Sequence, residues 1–238
     1  RMGDDRPDGV NVSRETETDP LSNDPAVADF FGPAYGAVAA FHQLLTAEGE
    51  LRGLIGPREV PRLWERHLLN CAALSSLVED GQVVLDLGSG AGLPGLVLAL
   101  QRPDVQVVLV ESLQRRAQFL TECVEALGLR NTLVRRARAE ELHGKLEVDV
   151  VTARAVAPVD RLAQWSLPLL HPGGRLLAIK GEQAVAELEV ARPTLVRLGA
   201  VSSSVVEVGS VELGTHARMV VVEAGRPATP AGKRRARR

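Results

Sequence analysis

The period of the hydrophobic residues changes once along the chain, near residue 82. From Pro25 apolar residues recur at helical spacing, at Val27, Phe30, Phe31, Ala34, Val38, Phe41, Leu44 and Leu45. Gly32-Pro33 breaks this region into two helical pieces. Residues 53–58 read as a connection. Pro61 suits the first turn of a further helix carrying Leu63, Trp64, His67, Leu68 and Cys71. Residues 25–80 therefore read as a helical extension. From Gln82 the pattern alternates. Strands are expected at 83–87, 105–110, 131–134, 148–152 and 174–179. Helical patterns fall at 96–100, 113–127, 162–170 and 182–198, and Pro172-Gly173-Gly174 reads as a turn. Strands that are apolar throughout and separated by helices predict an α/β fold, with a mostly parallel sheet covered on both faces. The last two strands, 201–208 and 217–222, have no helix-length segment between them and predict an antiparallel C-terminal hairpin.

Composition narrows this picture. The chain has 238 residues, 45% hydrophobic and 24% charged, which is globular composition. No apolar run approaches the ~18 residues of a membrane helix. The N-terminal stretch lacks the apolar core of a secretory signal. Two cysteines, Cys71 and Cys123, give no disulfide framework, and a cytoplasmic location is expected. Aromatic residues are only 3%, which argues against recognition by stacked aromatics. The net charge of −2 is uneven. Residues 1–24 carry three Arg and seven acids and read as a disordered acidic leader. Residues 224–238 carry six bases and no acid, a tail that is either a solvated end or an attraction for nucleic acid. The domain between them is expected over 25–223.

The most informative segment is Asp86-Leu87-Gly88-Ser89-Gly90-Ala91-Gly92-Leu93-Pro94-Gly95, between the first strand and the next helix. Ligands of open α/β sheets sit beyond the carboxyl ends of the strands, and glycines there let the backbone approach them. A plain strand–helix turn rarely needs four glycines in eight residues. The dinucleotide fingerprint G-x-G-x-x-G fails here, because Leu93 holds the sixth position and Gly92 comes one place early. The phosphate loop Gly-Lys-Ser/Thr is absent. Asp86 at the strand end suits a cationic ligand better than a pyrophosphate. Glu111 closes the next strand, where a carboxylate can accept from both ribose hydroxyls. A nucleoside with a positive centre and no phosphate satisfies these constraints, and S-adenosylmethionine is one.

These residues resemble motif I of the class I methyltransferases. The finer pattern is narrower. Gly88 to Gly95, Glu111-Ser112 with Arg115-Arg116 and Phe119-Leu120, Arg138-Ala139-Glu140-Glu141, Thr152-Ala153-Arg154-Ala155-Val156-Ala157 and Lys180-Gly181 together resemble the RsmG family, also called glucose-inhibited division protein B. Glu65-Arg66-His67-Leu68-Leu69-Asn70 is similar to that family's helical stretch before the sheet, and the likeness covers about residues 30–223. The resemblance implies a class I, Rossmann-like fold. It implies transfer of a methyl group from S-adenosylmethionine to guanine N7 in 16S rRNA. The partner would be the small ribosomal subunit or its precursor, met by a monomer in the bacterial cytoplasm, with no membrane involved.

The same likeness assigns residues. Asp86, Gly88, Ser89, Gly90, Gly92, Leu93 and Glu111 form the cofactor loop and ribose site, with Ala139 and Glu140 on the adenine side. Arg154 lies past a buried strand at the ligand edge. A charge there is either paired or functional, and the family likeness gives it to cofactor and RNA. Lys180, one of three lysines against 25 arginines, is either a solvated strand end or an RNA contact, and the likeness favours RNA. Arg218 is carried over as a further RNA contact. Arg115 and Arg116 are either helix-surface charges or phosphate contacts. The five histidines show no ligand spacing, so no metal site is expected. Guanine N7 bears no proton, so no general base is expected and no catalytic residue is named. Two other readings compete: a small-molecule methyltransferase of the same fold, and a non-catalytic ribosome-assembly protein that binds RNA.

Overall fold

The computed structural model describes residues 19–210 and 212–225. The leader as far as residue 18 and the basic tail from residue 226 lie outside the described residues.

The helical region begins at α1 (Pro25–Phe31). Pro25 stands in its first turn and the Asp24 carboxylate caps it, accepting from Ala26 N–H at 2.8 Å. Gly32, at φ +51°, ends this helix before α2 (Tyr35–Leu44). A wide turn over Trp64–Leu68 runs into the short α3 (Leu69–Ala72). One boundary differs from the sequence expectation. Asp19, inside the segment expected to be disordered, is buried. Its carboxylate accepts from Trp64 N–H at 2.8 Å and Leu21 N–H at 3.1 Å. A buried backbone N–H with no intrahelical partner needs such an acceptor, and hydrophobic periodicity gives no sign of it.

The alternating region follows as β1 (Val83–Leu87), α4 (Gly95–Gln101), β2 (Gln106–Glu111), α5 (Gln114–Ala126) and β3 (Thr132–Arg136). Then come α6 (Ala139–Leu142), β4 (Val148–Arg154), α7 (Val159–Ser166), β5 (Leu170–Lys180), α8 (Ala184–Arg197), β6 (Ala200–Val208) and β7 (Ala217–Ala224). The strands form one sheet in the order β3-β2-β1-β4-β5-β7-β6. The first five are parallel, and β7 lies antiparallel between β5 and β6. The expected hairpin is thus present, inserted so that its second strand meets β5. Pro172-Gly173-Gly174 is not a separate turn. With Gly173 at φ +86°, it forms a bulge within β5 that shifts the register against β4 between Val148 and Val150.

Strand alternation divides the core between the two faces of the sheet. Val84, Val107, Leu109, Leu177 and Met219 pack with Phe41, Trp64, Leu68, Leu96 and Phe119. Leu85, Leu87, Val110, Ala153 and Val220 pack with Ala139, Leu162, Leu188 and Leu195. The N-terminal helices therefore cover one face together with α4 and α5. The order of strands reverses between β1 and β4, and that is where the carboxyl ends of the strands open a crevice.

Candidate functional site

The loop after β1 is tied to β2 by its backbone. Gly88 and Ser89 N–H both donate to Val110 O, at 2.8 and 3.0 Å, and Ser89 Oγ donates back to Asp86 O at 2.8 Å. Ser89 is a brace within the loop. Gly88 has φ +71°, and a Cβ there would stand 2.9 Å from Val156 Cγ2. Conformation and space both demand glycine at this position.

Glu111 ends β2 beside the loop and is 4% exposed. Its Oε2 accepts from Gly90 N–H at 3.1 Å and its Oε1 from Leu113 N–H at 2.9 Å. Each oxygen keeps a second lone pair for a ligand. Beyond it opens a cavity of about 590 Å³ lined by Gly88, Ser89, Gly90, Leu93, Glu111 and Arg154, among others. A second hollow of about 420 Å³ shares Gly88, Ser112 and Val156 with the first and adds Leu87, Ala139, Glu140 and Trp165. The two form one elongated crevice. Trp165, on α7, carried no motif signal.

Two members of the glycine segment lie beneath this crevice. Asp86 is fully buried on the α4 side of the sheet, and its Oδ2 accepts the Gly95 N–H at 2.9 Å. Alternation along β1 turns it away from the ligand, in contrast to the sequence expectation. Its Oδ1 has no partner among the described residues, and burial pushes its carboxyl up to about 7. Gly92, at φ +89°, is packed against Leu96 and Phe41, so it serves the core instead of the cavity.

Arg154 does reach the crevice, through a chain of polar groups from the N-terminal helices. Its Nη2 lies 2.6 Å from His67 Nδ1, and His67 Nε2 lies 2.8 Å from Glu59 Oε2. A guanidinium only donates, so His67 accepts at Nδ1 and its Nε2–H donates to Glu59. Burial, then the Arg154 charge, hold the imidazole below its ordinary value, and the hydrogen bond from His67 lowers Glu59. His67 is thus a site residue that ligand spacing alone did not mark. The one sequence signal for it is its place in Glu65 to Asn70.

The remaining cations divide. Arg116 lines the cavity, whereas Arg115, expected as a substrate contact, is exposed outside that lining. Lys180, expected to meet RNA, is 9% exposed and already engaged. Its Nζ donates to Ala157 O at 2.6 Å and pairs with Glu187 at 2.8 Å. Arg218 stands opposite Lys180 in the β5–β7 register and pairs with Glu207 at 2.8 Å. Cys71 and Cys123 are buried free thiols pushed up to about 11 and about 12, which keeps both protonated and unreactive. Among the described residues no group of three or more His, Cys, Asp or Glu is placed to hold a metal.

Comparison with known proteins decides the family. Residues 35–215 match the family described as rRNA small subunit methyltransferase G. The chain is 54% identical to ribosomal RNA small subunit methyltransferase G of Streptomyces coelicolor over 207 residues, 87% of this chain and 86% of that protein. It is 56% identical to the protein of the same name from Thermobifida fusca over 184 residues, 77% of this chain and 78% of that one. The chain belongs to the rRNA small subunit methyltransferase G family.

Solved structures agree on the fold. An S-adenosylmethionine-dependent O-methyltransferase of Thermotoga maritima superposes with a TM-score of 0.51 at 15% identity, over 72% of each chain. A methyltransferase of Pyrococcus furiosus gives 0.51 at 17% identity, over 64% of this chain and 80% of that one. As a member of the methyltransferase G family, the chain is an enzyme that uses S-adenosylmethionine. The crevice fits that cofactor. A Cβ at Gly88 would meet Val156, so the glycine lets the wall at Val156 close against the loop, and Glu111 offers a pre-ordered carboxylate. At the end away from Glu111, Leu87, Val156 and Trp165 stand with the polar Ser112, Glu140 and Arg161.

Proposed function

We propose that this chain methylates N7 of a guanine in 16S rRNA, as a monomer acting on the small ribosomal subunit or its precursor in the bacterial cytoplasm. One observation carries the reading. A further hollow of about 420 Å³ opens between the N-terminal helices and the end of β5, and it shares Arg154 and Ala155 with the cofactor cavity. An acceptor in this hollow would lie beside the methyl donor. Arg66, Asn70, Lys180, Glu187 and His216 line it, a polar wall suited to a nucleotide.

Each residue has a role in this reading. When bound, S-adenosylmethionine supplies an electrophilic methyl group on a sulfonium. Glu111 accepts from the ribose hydroxyls with the lone pairs that Gly90 and Leu113 leave free. Gly88 and Gly90 bring the backbone close, and Leu93 packs at the same end. Ala139 and Glu140 flank the adenine, with Trp165 and Val156 on its faces. Arg154, held by His67, donates across the junction of the two hollows. N7 of guanine has a lone pair and no proton, so the chain needs no general base. What the chain's residues contribute is orientation of the base in line with the methyl group. A stacked target must first leave its stack, at a cost of about a few kcal/mol.

The atom is testable directly. A small subunit reconstituted with 16S transcript carrying 7-deazaguanosine in place of guanosine is expected to accept no methyl group, while the guanosine transcript accepts it. Equal labelling of both would move the reaction to another atom.

A further inference from the structure

Lys180 lies at the carboxyl end of β5 and lines the hollow proposed for the acceptor, yet both of its polar contacts are within the chain. The Nζ donates to the backbone of Ala157 and pairs with Glu187. The same Glu187 carboxylate oxygen, Oε2, accepts from Val159 N–H at 3.2 Å. One ion pair between β5 and α8 therefore grips residues 157 and 159 from two sides.

The gripped segment is the one that shapes the crevice. Val156 lines both halves of it and fills the space that Gly88 leaves open. Ala155 has φ +52°, left-handed backbone that a residue with a Cβ rarely adopts. Such a conformation persists only where surrounding contacts over-determine it. On one side Arg154 is fixed by His67, and on the other the Lys180–Glu187 pair holds Ala157 and Val159.

We infer that Lys180 and Glu187 are positioning residues that hold residues 155–158 as the wall of the S-adenosylmethionine crevice. Lys180 acts on the cofactor through Ala157 and Val156. A lysine suits the task, because a compact ammonium has three donors and can serve a carbonyl and a carboxylate together. The inference rests on the crevice being the cofactor site, and the unsubstituted chain serves as the control for that reading.

The test uses the full chain and the variants Lys180→Met, Glu187→Gln and their combination. Calorimetry with S-adenosylhomocysteine gives cofactor affinity, amide hydrogen exchange gives protection at 155–159, and RNA binding against salt gives the number of phosphate contacts. Each single substitution is expected to weaken the cofactor about tenfold. The double variant is expected to be no weaker than the worse single, as for two residues acting through one contact. Exchange is expected to rise at 157–159 and stay unchanged in β1 and β2. The salt slope is expected to stay constant. Thermal melts of each variant, expected to stay cooperative, separate positioning from a fold that fails without Lys180. Unchanged cofactor affinity in Lys180→Met with a salt slope lowered by about one would make Lys180 a phosphate contact and overturn the inference. Unchanged affinity together with unchanged exchange would also overturn it. Failure of the unsubstituted chain to bind would instead count against the cofactor reading.

Discussion

Asp86 sits below the ligand loop with one oxygen on Gly95 N–H and the other unpartnered among the described residues. Its folded value of about 7 lies above the ordinary carboxylate range, so the folded chain holds a proton that the unfolded chain releases. The corresponding stability is fully present below about pH 4 and is lost as pH rises through about 7. Asp86→Asn cannot ionise. It is expected to flatten the dependence by about 2–4 kcal/mol between pH 4 and 8 in denaturant titrations; a slope equal to that of the unsubstituted chain would refute this. His67 has the opposite sign. Its value is lowered, so its contribution is present above about pH 6.5 and is lost as pH falls through the folded value. Protonation also removes the acceptor that holds Arg154. Cofactor affinity is expected to fall several-fold on acidification, and His67→Asn, which keeps an acceptor near Nδ1, is expected to lose most of that dependence. Calorimetry at several pH values decides it. The placement of Glu111 and Gly88 at the crevice was legible because it follows from strand ends and loop glycines. Lys180 and Asp86 were not, since their partners Glu187 and Gly95 act through a tertiary contact and a strand face, neither of which a motif records.

At the scale of elements, α4 starts directly under the ligand loop because Gly95 has no side chain. A Cβ there would lie 2.6 Å from Asp86 Oδ2 and 2.9 Å from Asp86 Cβ, in backbone that already turns tightly. Gly95→Ala must push β1 and α4 apart and is expected to cost about 1–3 kcal/mol of stability, with a loss of cofactor affinity greater than the loss of helix content. Thermal melts and calorimetry together test this; a neutral substitution would mean the loop floats free of α4. The central parallel strands were readable because both their faces are buried, which leaves runs such as Val107-Val108-Leu109-Val110. The bulge at Gly173 was not, because a register shift depends on what β4 presents opposite it. Nor was the wide winding of Trp64–Leu68, whose residues pattern like an ordinary helix.

Across the whole molecule, the N-terminal helices and the sheet share one core. The same packing places Glu59 and His67 behind Arg154. The site thus draws on residues from 54 to 165 in sequence, gathered by the reversal of strand order between β1 and β4. Near-neutral composition concealed the local character of the edge, where Arg66, Arg154 and His216 meet in one hollow. No described helix is long and apolar enough to cross a membrane. Delivery of a methyl group to one guanine of the small subunit, as proposed, is tested most directly by incubating the full chain with small subunits that lack the modification and labelled S-adenosylmethionine, then digesting and mapping the 16S rRNA. Label recovered as 7-methylguanosine at a single position is the predicted result. Label in another nucleoside, or none in RNA from a chain that still binds the cofactor, would contradict it.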